Sequence, residues 1–475
     1  MAALLVGFLL LVLVIFGFHR RLLHFLVFLI FFELVLGGSG RYVELSDFIS
    51  FRKALFVFTW LLFVVFWFYR RTRPRFPLWS FRGSCYASLL AVFTFLFFGL
   101  GIGILHGNDL GFILADSQGF LFLTLSIPLC YFAWRAHITV DFFLAVLVGS
   151  TSLYGLLKGL LFFGLQTGYF GASYLADLLQ ESANQQVVID LMGSHYRMNS
   201  VGDAFLMLSF PILVAVASSA RGLRVKLAAS TGIVFVLLGL FASGTRALWW
   251  GALLGLVLLV ALARSHQRLK VVAGILVVIF VASQIFSGAY GSTTARIASA
   301  FNAFEGGDDF RVHQINVLYE MARERPFLGQ GFGAIAPEVS MHRNNPYIFE
   351  METVAFLMKM GILGCAAWLV LFVWLLNALF RVSRSLTDPM HVMVAKSLCG
   401  GTLAILFAGS TNPWLSVAVG MGACAFLFVV TDLLRQEIPL PEEDAKTASR
   451  ASRGPFGLFA NSSPINGAPK ANRHS

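Results

Sequence analysis

The side chains best suited to polar chemistry lie in and near one long polar segment, residues 287–350, which separates two apolar stretches of the chain. Arg246 lies shortly before this segment, in the connection Ser243-Gly244-Thr245-Arg246, and Arg311 and His342 lie within it. Arg246 has no acidic neighbour in sequence, and such a guanidinium suits a phosphate, a carboxylate or a lipid headgroup. An imidazole held in place can take a proton from a hydroxyl near neutral pH. The segment therefore predicts anion binding combined with proton transfer.

Each of these residues also has a simpler structural explanation. Arg246 can reach lipid headgroups with its long side chain, and His342 can hydrogen-bond to the backbone. Glu350 and Glu352 stand at the start of the next apolar run, where carboxylates are stabilised by the helix dipole. Either glutamate could instead act as a base or orient an arginine or a histidine. These alternatives stay open for each residue taken singly.

The polar segment also predicts local structure. Asp308 or Asp309 can cap a helix that runs to about Arg325 and is stopped by Pro326. The periodicity places Ile315, Leu318 and Met321 on one face of this helix, and Arg311, Gln314 and Arg325 elsewhere. The sequence 329–333 that follows, Gly-Gln-Gly-Phe-Gly, is typical of tight turns and can expose amides as an anion-binding nest.

Composition determines the fold class. The chain has 475 residues, of which 58% are hydrophobic and only 12% charged, whereas soluble domains carry about 25% charged residues. We predict an all-α integral membrane protein with about thirteen spans, within a range of about 12–14, because each apolar run of about 17–25 residues can cross the bilayer as a helix. The predicted spans are 2–18, 22–38, 54–69, 85–105, 119–133, 139–165, 202–220, 227–242, 247–263, 271–286, 351–380, 392–409 and 415–434.

The basic residues predict how the chain is oriented. They fall in every second connection, which places those connections in the cytoplasm. The connections on the other face are then 106–118, 166–201, 243–246, 287–350 and 410–414. We therefore predict a transmembrane domain over residues 1–434, with 166–201 and 287–350 as large extracytoplasmic loops that contain short helices. Residues 435–475 are predicted to be a disordered cytoplasmic tail, since they are polar and rich in Pro, Gly and Ser.

Several functional classes are disfavoured. The net charge of +11 is explained by membrane insertion and anionic headgroups, and no nucleic-acid-binding motif accompanies it. No metal site is expected, because the sequence has no His-Glu-x-x-His motif and no Cys pair in a loop. No cofactor is expected either. Five ionisable residues inside predicted spans need a partner or a cavity, namely Glu33, Asp141, Lys158, Lys359 and Asp432.

The order of the motifs carries a family resemblance. In chain order they are Ser243-Gly244-Thr245-Arg246-Ala247-Leu248-Trp249-Trp250-Gly251 opening a span, Arg311 beginning a helix, Arg325-Pro326-Phe327-Leu328-Gly329-Gln330-Gly331-Phe332-Gly333, His342 with Asn344, and Met358-Lys359-Met360-Gly361-Ile362-Leu363-Gly364. This order resembles the O-antigen ligase and O-antigen polymerase superfamily over about residues 240–370.

The resemblance implies a helical membrane glycosyltransferase of the GT-C-like kind in the bacterial inner membrane, with its active site on the periplasmic side. It implies an oligosaccharide donor on polyprenyl pyrophosphate, a glycan acceptor, and other polysaccharide assembly and chain-length proteins as partners. By the same resemblance, Arg246 and Arg311 hold the pyrophosphate and His342 is the base. Arg325 and Arg343 are further candidate pyrophosphate ligands, and Glu350 is a second candidate catalytic residue.

The sequence favours one function over three alternatives. Ligases of the family read His followed directly by Asn, Ser or Gln, whereas Arg343 intervenes here, so we favour a metal-independent, inverting polymerase of exopolysaccharide or O-antigen repeat units. A ligase that transfers the glycan to lipid A core or protein is the first alternative. A transporter or flippase of lipid-linked sugars is the second, and a structural scaffold is the third. A transporter would leave the large outer loop without a function.

Overall fold

The computed structural model describes residues 20–37, 44–46, 49–68, 78–171, 188–192, 195–263, 272, 308–340 and 345–438. Twelve helices cover most of these residues: α1 Arg20–Leu36, α2 Phe51–Phe68, α3 Leu78–Gly103, α4 Leu110–Ala136, α5 Val140–Gln166, α6 Asp203–Ser219, α7 Leu223–Ser243, α8 Arg246–Leu262, α9 Asp308–Glu324, α10 Glu352–Ser385, α11 Pro389–Ser410 and α12 Ala418–Gln436.

The strands in this part of the chain form two short antiparallel hairpins. One pairs β1, Glu44–Ser46, with β2, Ile49–Ser50, and the other pairs β3, Val188–Met192, with β4, His195–Asn199. Neither hairpin joins the other, so there is no larger sheet among the described residues. The predicted all-α membrane class is confirmed.

Eight of the described helices are long and apolar enough to cross a membrane, and α6 and α8 are shorter apolar helices. Eleven of the thirteen predicted spans coincide with α1 to α8 and α10 to α12. The predicted span 2–18 lies outside the described residues, as does 271–286 except for residue 272. So do residues 172–187 and 193–194 of the 166–201 loop and the tail beyond residue 438.

The predicted outer connection 106–118 is shorter than expected. It was assigned to the face opposite the basic connections, and its turn lies at Gly107, but α4 already begins at Leu110. The Asp109 carboxylate caps the new helix by accepting a hydrogen bond from the Phe112 amide at 3.0 Å. Asp116 is buried beside a cation, so its charge does not require water.

The helices pack around one continuous apolar core, with α12 at its centre. Almost all of α12 is buried, and it contacts α1, α3, α4, α6, α10 and α11. The helix pairs α8–α11 and α5–α7 add a second group around α6. Gly255 of α8 and Gly400 of α11 lie in close backbone contact, since a Cβ built on Gly400 would lie 2.5 Å from the Gly255 carbonyl oxygen.

The charges inside this bundle are paired, as the cost of burying a lone charge requires. The pairs link helices that are distant in sequence: Glu33–Arg52 at 2.8 Å, Lys158–Asp203, Asp116–Lys359 at 2.7 Å and Asp141–His391 at 3.0 Å. The Asp432 carboxylate accepts hydrogen bonds from the Gly83 and Ser84 amides. All five ionisable residues singled out in the spans therefore have partners.

Glu33→Gln should destabilise the protein, because it removes the buried negative charge that the Arg52 guanidinium, 5% exposed, contacts at 2.8 Å. We expect the free energy of unfolding to fall by about 3–5 kcal/mol, and the double variant Glu33→Leu/Arg52→Met to recover most of it. The measurement is reversible unfolding in mixed micelles.

The matched control for this prediction is Glu320→Gln, which breaks the exposed Glu320–Arg323 pair at 3.3 Å. It should cost at most about 1 kcal/mol because water screens that pair. Equal losses in Glu33→Gln and Glu320→Gln would contradict the prediction.

Candidate functional site

The helix α9 lies on a small apolar core of its own at the end of the bundle where α10 begins. We call this cluster the loop core; it consists of Leu318, Ala322, Ala334, Ala336, Val339, Phe349, Ala355 and Met358. The predicted helix is confirmed, since α9 runs from Asp308 to Glu324 and ends before Pro326. The loop core fixes α9 against the first turns of α10.

Gln314 corrects the predicted faces of α9. It was expected to point away from the apolar side, but it is fully buried. Its Nε2 donates to the Val339 carbonyl at 2.6 Å, and its Oε1 accepts from the Met351 amide at 2.7 Å. A pattern of apolar residues could not reveal this, because the amide side chain is buried to satisfy two backbone groups. Gln314 therefore ties α9 to the start of α10.

Arg311 and Glu350 are brought together by this arrangement. Nε of Arg311 donates to Oε2 of Glu350 at 2.8 Å, and the two side chains are 44% and 27% exposed. None of the described residues accepts a hydrogen bond from the two terminal nitrogens of Arg311. The guanidinium is thus oriented by a carboxylate on one edge while its terminal nitrogens can bind an anion.

The glycine-rich segment 329–333 forms the tight turns that its sequence predicted, and it does not form the alternative, an anion-binding nest for a ligand. Its amides are used within the protein: Gly329 donates to Arg325, Gln330 to Met358, Gly331 to Lys359, Phe332 to Phe98 and Gly333 to Asp116. The Phe98 carbonyl belongs to a π-helical stretch at the end of α3, Thr94–Gly103. The segment is therefore packed between α3, α4 and α10, and we call residues 329–333 the plug.

Two glycines make this close fit possible. Gly331 has φ +79°, and a Cβ there would lie 2.5 Å from the Gly103 backbone nitrogen. Gly361 has φ +62° and interrupts α10, so that the amides of Ile362 and Leu363 donate to the carbonyls of Pro326 and Phe327. Both positions exclude a side chain, because a β-carbon would be strained by the backbone angle and would overlap a neighbouring backbone.

Asp116 and Lys359 hold the plug in place. Oδ1 of Asp116 accepts from Nζ of Lys359 at 2.7 Å, and Oδ2 accepts from the Gly333 amide at 3.0 Å. Nζ of Lys359 also donates to the Tyr347 carbonyl at 2.8 Å. Both side chains are buried. Lys359, one of the span residues that was expected to need a partner, is therefore committed to this network.

Glu352 has a different partner from the one expected. Its carboxylate does not stabilise the start of its own helix but accepts from the Leu415 amide at 2.8 Å and the Ser416 amide at 2.6 Å. The side chain is 2% exposed. It therefore fixes the connection between α11 and α12 to the first turn of α10.

The backbone of Arg246 lies at the same end of the bundle. The helices α8 and α11 run antiparallel, because Gly255 adjoins Gly400 while Gly251 adjoins Ala404. Extending this register places Arg246 near Gly409, which lies beside the Glu352 carboxylate. Arg246 therefore begins its helix close to the level of the Arg311–Glu350 pair. The side chain of Arg246 is outside the described structure.

The remaining predicted site residues divide in two. Arg325 lies just beyond the opposite end of α9, about 21 Å along the helix from Arg311 at about 1.5 Å per residue, and it is exposed. We therefore place it apart from the Arg311–Glu350 pair. His342 and Arg343 lie outside the described residues. In the described part of the chain, no three His, Cys, Asp or Glu side chains form a group that could hold a metal.

Comparison with known proteins gives two matches, of which the first covers this region. The family model described as O-antigen ligase matches residues 231–369. An O-antigen polymerase from Shigella flexneri is 30% identical over 128 residues, which are 26% of this chain and 30% of that protein. The resemblance to the O-antigen ligase and polymerase superfamily is confirmed. The family match contains Arg246, α9, the plug, the loop core and the first half of α10.

Gly331→Ala should displace the plug, whereas Gly107→Ala should not. Both glycines have positive φ, but nothing lies within 4 Å of a Cβ on Gly107, while one on Gly331 would overlap Gly103. We expect Gly107→Ala to cost about 1 kcal/mol and Gly331→Ala to cost clearly more. Limited proteolysis after Arg323, together with the thermal midpoint, measures the difference. Identical cleavage and midpoints for the two variants would contradict the assigned plug.

Proposed function

We propose that the protein is a membrane glycosyltransferase that moves a glycan from a polyprenyl-pyrophosphate carrier to an acceptor sugar hydroxyl. The proposal rests above all on Arg311, whose guanidinium is fixed by Glu350 with its terminal nitrogens unengaged by the described residues. This pair lies within residues 231–369, which match the O-antigen ligase family model. The multi-pass helical bundle suits a donor whose carrier lipid stays in the bilayer.

We place the site on the periplasmic side of the bacterial inner membrane. The basic residues of the alternate connections favour the cytoplasm, and the Arg311–Glu350 pair lies at the other end of α10 from Arg381 and Arg384. A lipid-linked donor can then enter sideways, with its diphosphate at the headgroup level. The partners are this donor, the glycan acceptor and other proteins of polysaccharide assembly and chain-length control.

The reaction requires a cationic site for the leaving group. The acceptor hydroxyl oxygen forms a bond to the anomeric carbon, and the bond between that carbon and the phosphate oxygen breaks. The electron pair leaves with the diphosphate, which needs fixed positive charge rather than a general acid. Arg311 and Arg246 supply that charge, and a planar guanidinium matches two phosphate oxygens at once. Attack opposite to the leaving phosphate inverts the anomeric centre.

The hydroxyl proton requires a base. We assign this role to His342, because the Glu350 carboxylate already accepts a hydrogen bond from Nε of Arg311 at 2.8 Å and orients that guanidinium. A positioned base accelerates such a transfer by about 10²–10⁴. Glu350 is then a residue that orients Arg311, and it takes over as base only if His342 proves dispensable. Arg343 remains a candidate ligand of the diphosphate or the acceptor.

Within this activity we favour a polymerase of exopolysaccharide or O-antigen repeat units, because Arg343 separates His342 from Asn344. The similar O-antigen polymerase supports this choice, while the O-antigen ligase family model supports transfer to lipid A core or protein instead. Purified protein given labelled lipid-linked repeat units separates these outcomes. A polymerase yields longer lipid-linked glycan, a ligase needs a second acceptor, and a transporter releases no carrier.

Arg311→Ala should lower transfer by at least about a hundredfold, since loss of one fixed donor to developing charge costs about 10²–10³ in rate. Arg311→Lys should recover little, because a point charge lacks the bidentate fork and the Nε contact to Glu350. Glu350→Gln should lose less than Arg311→Ala. The measurement is release of the pyrophosphate carrier by purified protein in liposomes.

The matched control is Arg325→Ala, which removes an exposed arginine just beyond the other end of α9. It should retain near wild-type transfer and the same thermal midpoint. Loss of activity in Arg325→Ala equal to that in Arg311→Ala would contradict the assignment of the anion site. Full activity in His342→Ala would move the base role to Glu350 or to water.

A further inference from the structure

A second group of arginines lies at the opposite end of the bundle, away from the Arg311–Glu350 pair. Three helices end or begin there: α10 with Arg381, α12 with Arg435, and the α-helical part of α3 with Arg82. Together they line a cavity of about 190 Å³. One water needs only about 10–15 Å³ of such space, so the cavity has room for a polyatomic group.

One of the residues that line the cavity carries an unused hydrogen-bond donor. Nη1 of Arg435 is buried and has no hydrogen-bond partner among the described residues. The nearby Asp432 carboxylate is 3.8 Å from it, too far for a hydrogen bond. That carboxylate instead accepts from the Gly83 amide at 3.3 Å and the Ser84 amide at 2.8 Å. A buried donor without an acceptor is costly, so an acceptor from outside the described residues would stabilise it.

The charge of the cavity is unbalanced. Arg82 and Arg381 lie close enough to Arg435 for their charges to repel it, and Asp432 is the one carboxylate beside them among the described residues. Nε of Arg381 donates to Asn377 at 3.1 Å, which orients the guanidinium at the cavity wall. Three guanidinium groups around one space match the oxygens of a phosphate, to which arginine binds in a planar fork.

The rest of the cavity lining is apolar, and this distinguishes between a free phosphate ion and the phosphate group of a lipid as the ligand. It consists of Trp374, Ala378, Val382 and Ile438, with Ser385 at the rim. Trp374 packs onto Gly83, where a Cβ would lie 2.6 Å from its ring. A free phosphate ion would make no apolar contact with these side chains, whereas the glycerol and acyl carbons of a lipid would pack on them. Basic pockets between spans at a cytoplasmic face suit anionic headgroups.

We propose that Arg82, Arg381 and Arg435 form a binding site for the phosphate headgroup of an anionic inner-leaflet lipid. The site is separate from glycosyl transfer and does not depend on the proposed catalytic residues. Bound lipid would neutralise the three arginines and hold the ends of α10 and α12 against the start of α3.

The test uses the purified full chain in neutral detergent and follows unfolding by tryptophan fluorescence. Short-chain phosphatidylglycerol, short-chain phosphatidylcholine and inorganic phosphate are titrated separately. We expect phosphatidylglycerol to raise the thermal midpoint, and phosphatidylcholine to have no effect. Arg381→Gln and Arg435→Gln should each raise the apparent Kd for phosphatidylglycerol by about tenfold, which corresponds to about 1.4 kcal/mol. Arg381 is exposed, so its variant should fold even if Arg435→Gln does not.

The matched control is Arg384→Gln, which removes a nearby arginine that is stacked on Phe380 and does not line the cavity. It should keep the wild-type response. If inorganic phosphate raises the thermal midpoint and this effect is lost in Arg381→Gln and Arg435→Gln, the phosphate site is supported, but its ligand is a free phosphate ion. No response to either phosphate probe, or a response that survives in Arg381→Gln and Arg435→Gln, overturns the proposal. The proposal is also overturned if phosphatidylglycerol raises the thermal midpoint only in the triple variant Glu442→Gln/Glu443→Gln/Asp444→Asn. The cavity of the wild-type protein would then be filled by the chain's own acidic residues.

Discussion

The buried carboxylate of Asp116 is the contact on which the candidate site depends. It binds the Lys359 ammonium with one oxygen and the Gly333 amide with the other, and Lys359 continues to the Tyr347 carbonyl. In an apolar bundle, a lone carboxylate or ammonium at this depth would be prohibitively costly. The charge pair therefore holds α4, the plug and α10 in one arrangement, and the chain reaches Glu350 only three residues after Tyr347.

The buried polar side chains around the site form hydrogen bonds mainly with backbone groups. Gln314 satisfies the Val339 carbonyl and the Met351 amide, and Glu352 satisfies the amides of Leu415 and Ser416. Irregular backbone near a membrane is tolerated only where its hydrogen bonds are completed by protein. Because these backbone hydrogen bonds are completed by residues of three helices, the irregular segment is held rigidly and supports the Arg311–Glu350 pair. Arg311 and Glu350 can then stay partly exposed and still hold a fixed geometry.

The sequence correctly predicted the helices whose formation depends on local pattern. Runs of apolar residues predicted eleven of the helices, and a cap followed by Pro326 predicted α9. It missed what depends on partners distant in the chain. Asp116 and Lys359 are 243 residues apart, so nothing local showed that α4 would begin before Asp116 or that Lys359 would be neutralised. The glycines of the plug were recognised as turns, but their amides face α3, α4 and α10 rather than an anion.

The two arginine sites of the bundle differ in how their nearby carboxylates are used, and this difference distinguishes the proposed transfer site from the proposed lipid site. At one end, Glu350 contacts the Arg311 side chain directly and fixes its orientation, as a site that must match a transition state requires. At the other end, Asp432 uses its oxygens on the Gly83 and Ser84 amides and leaves Nη1 of Arg435 unpaired. Arg381 is oriented there by Asn377, but no carboxylate of the described residues accepts a hydrogen bond from Nη1 of Arg435, so the cluster mainly provides charge. That is sufficient to hold a lipid headgroup but not to stabilise a departing diphosphate.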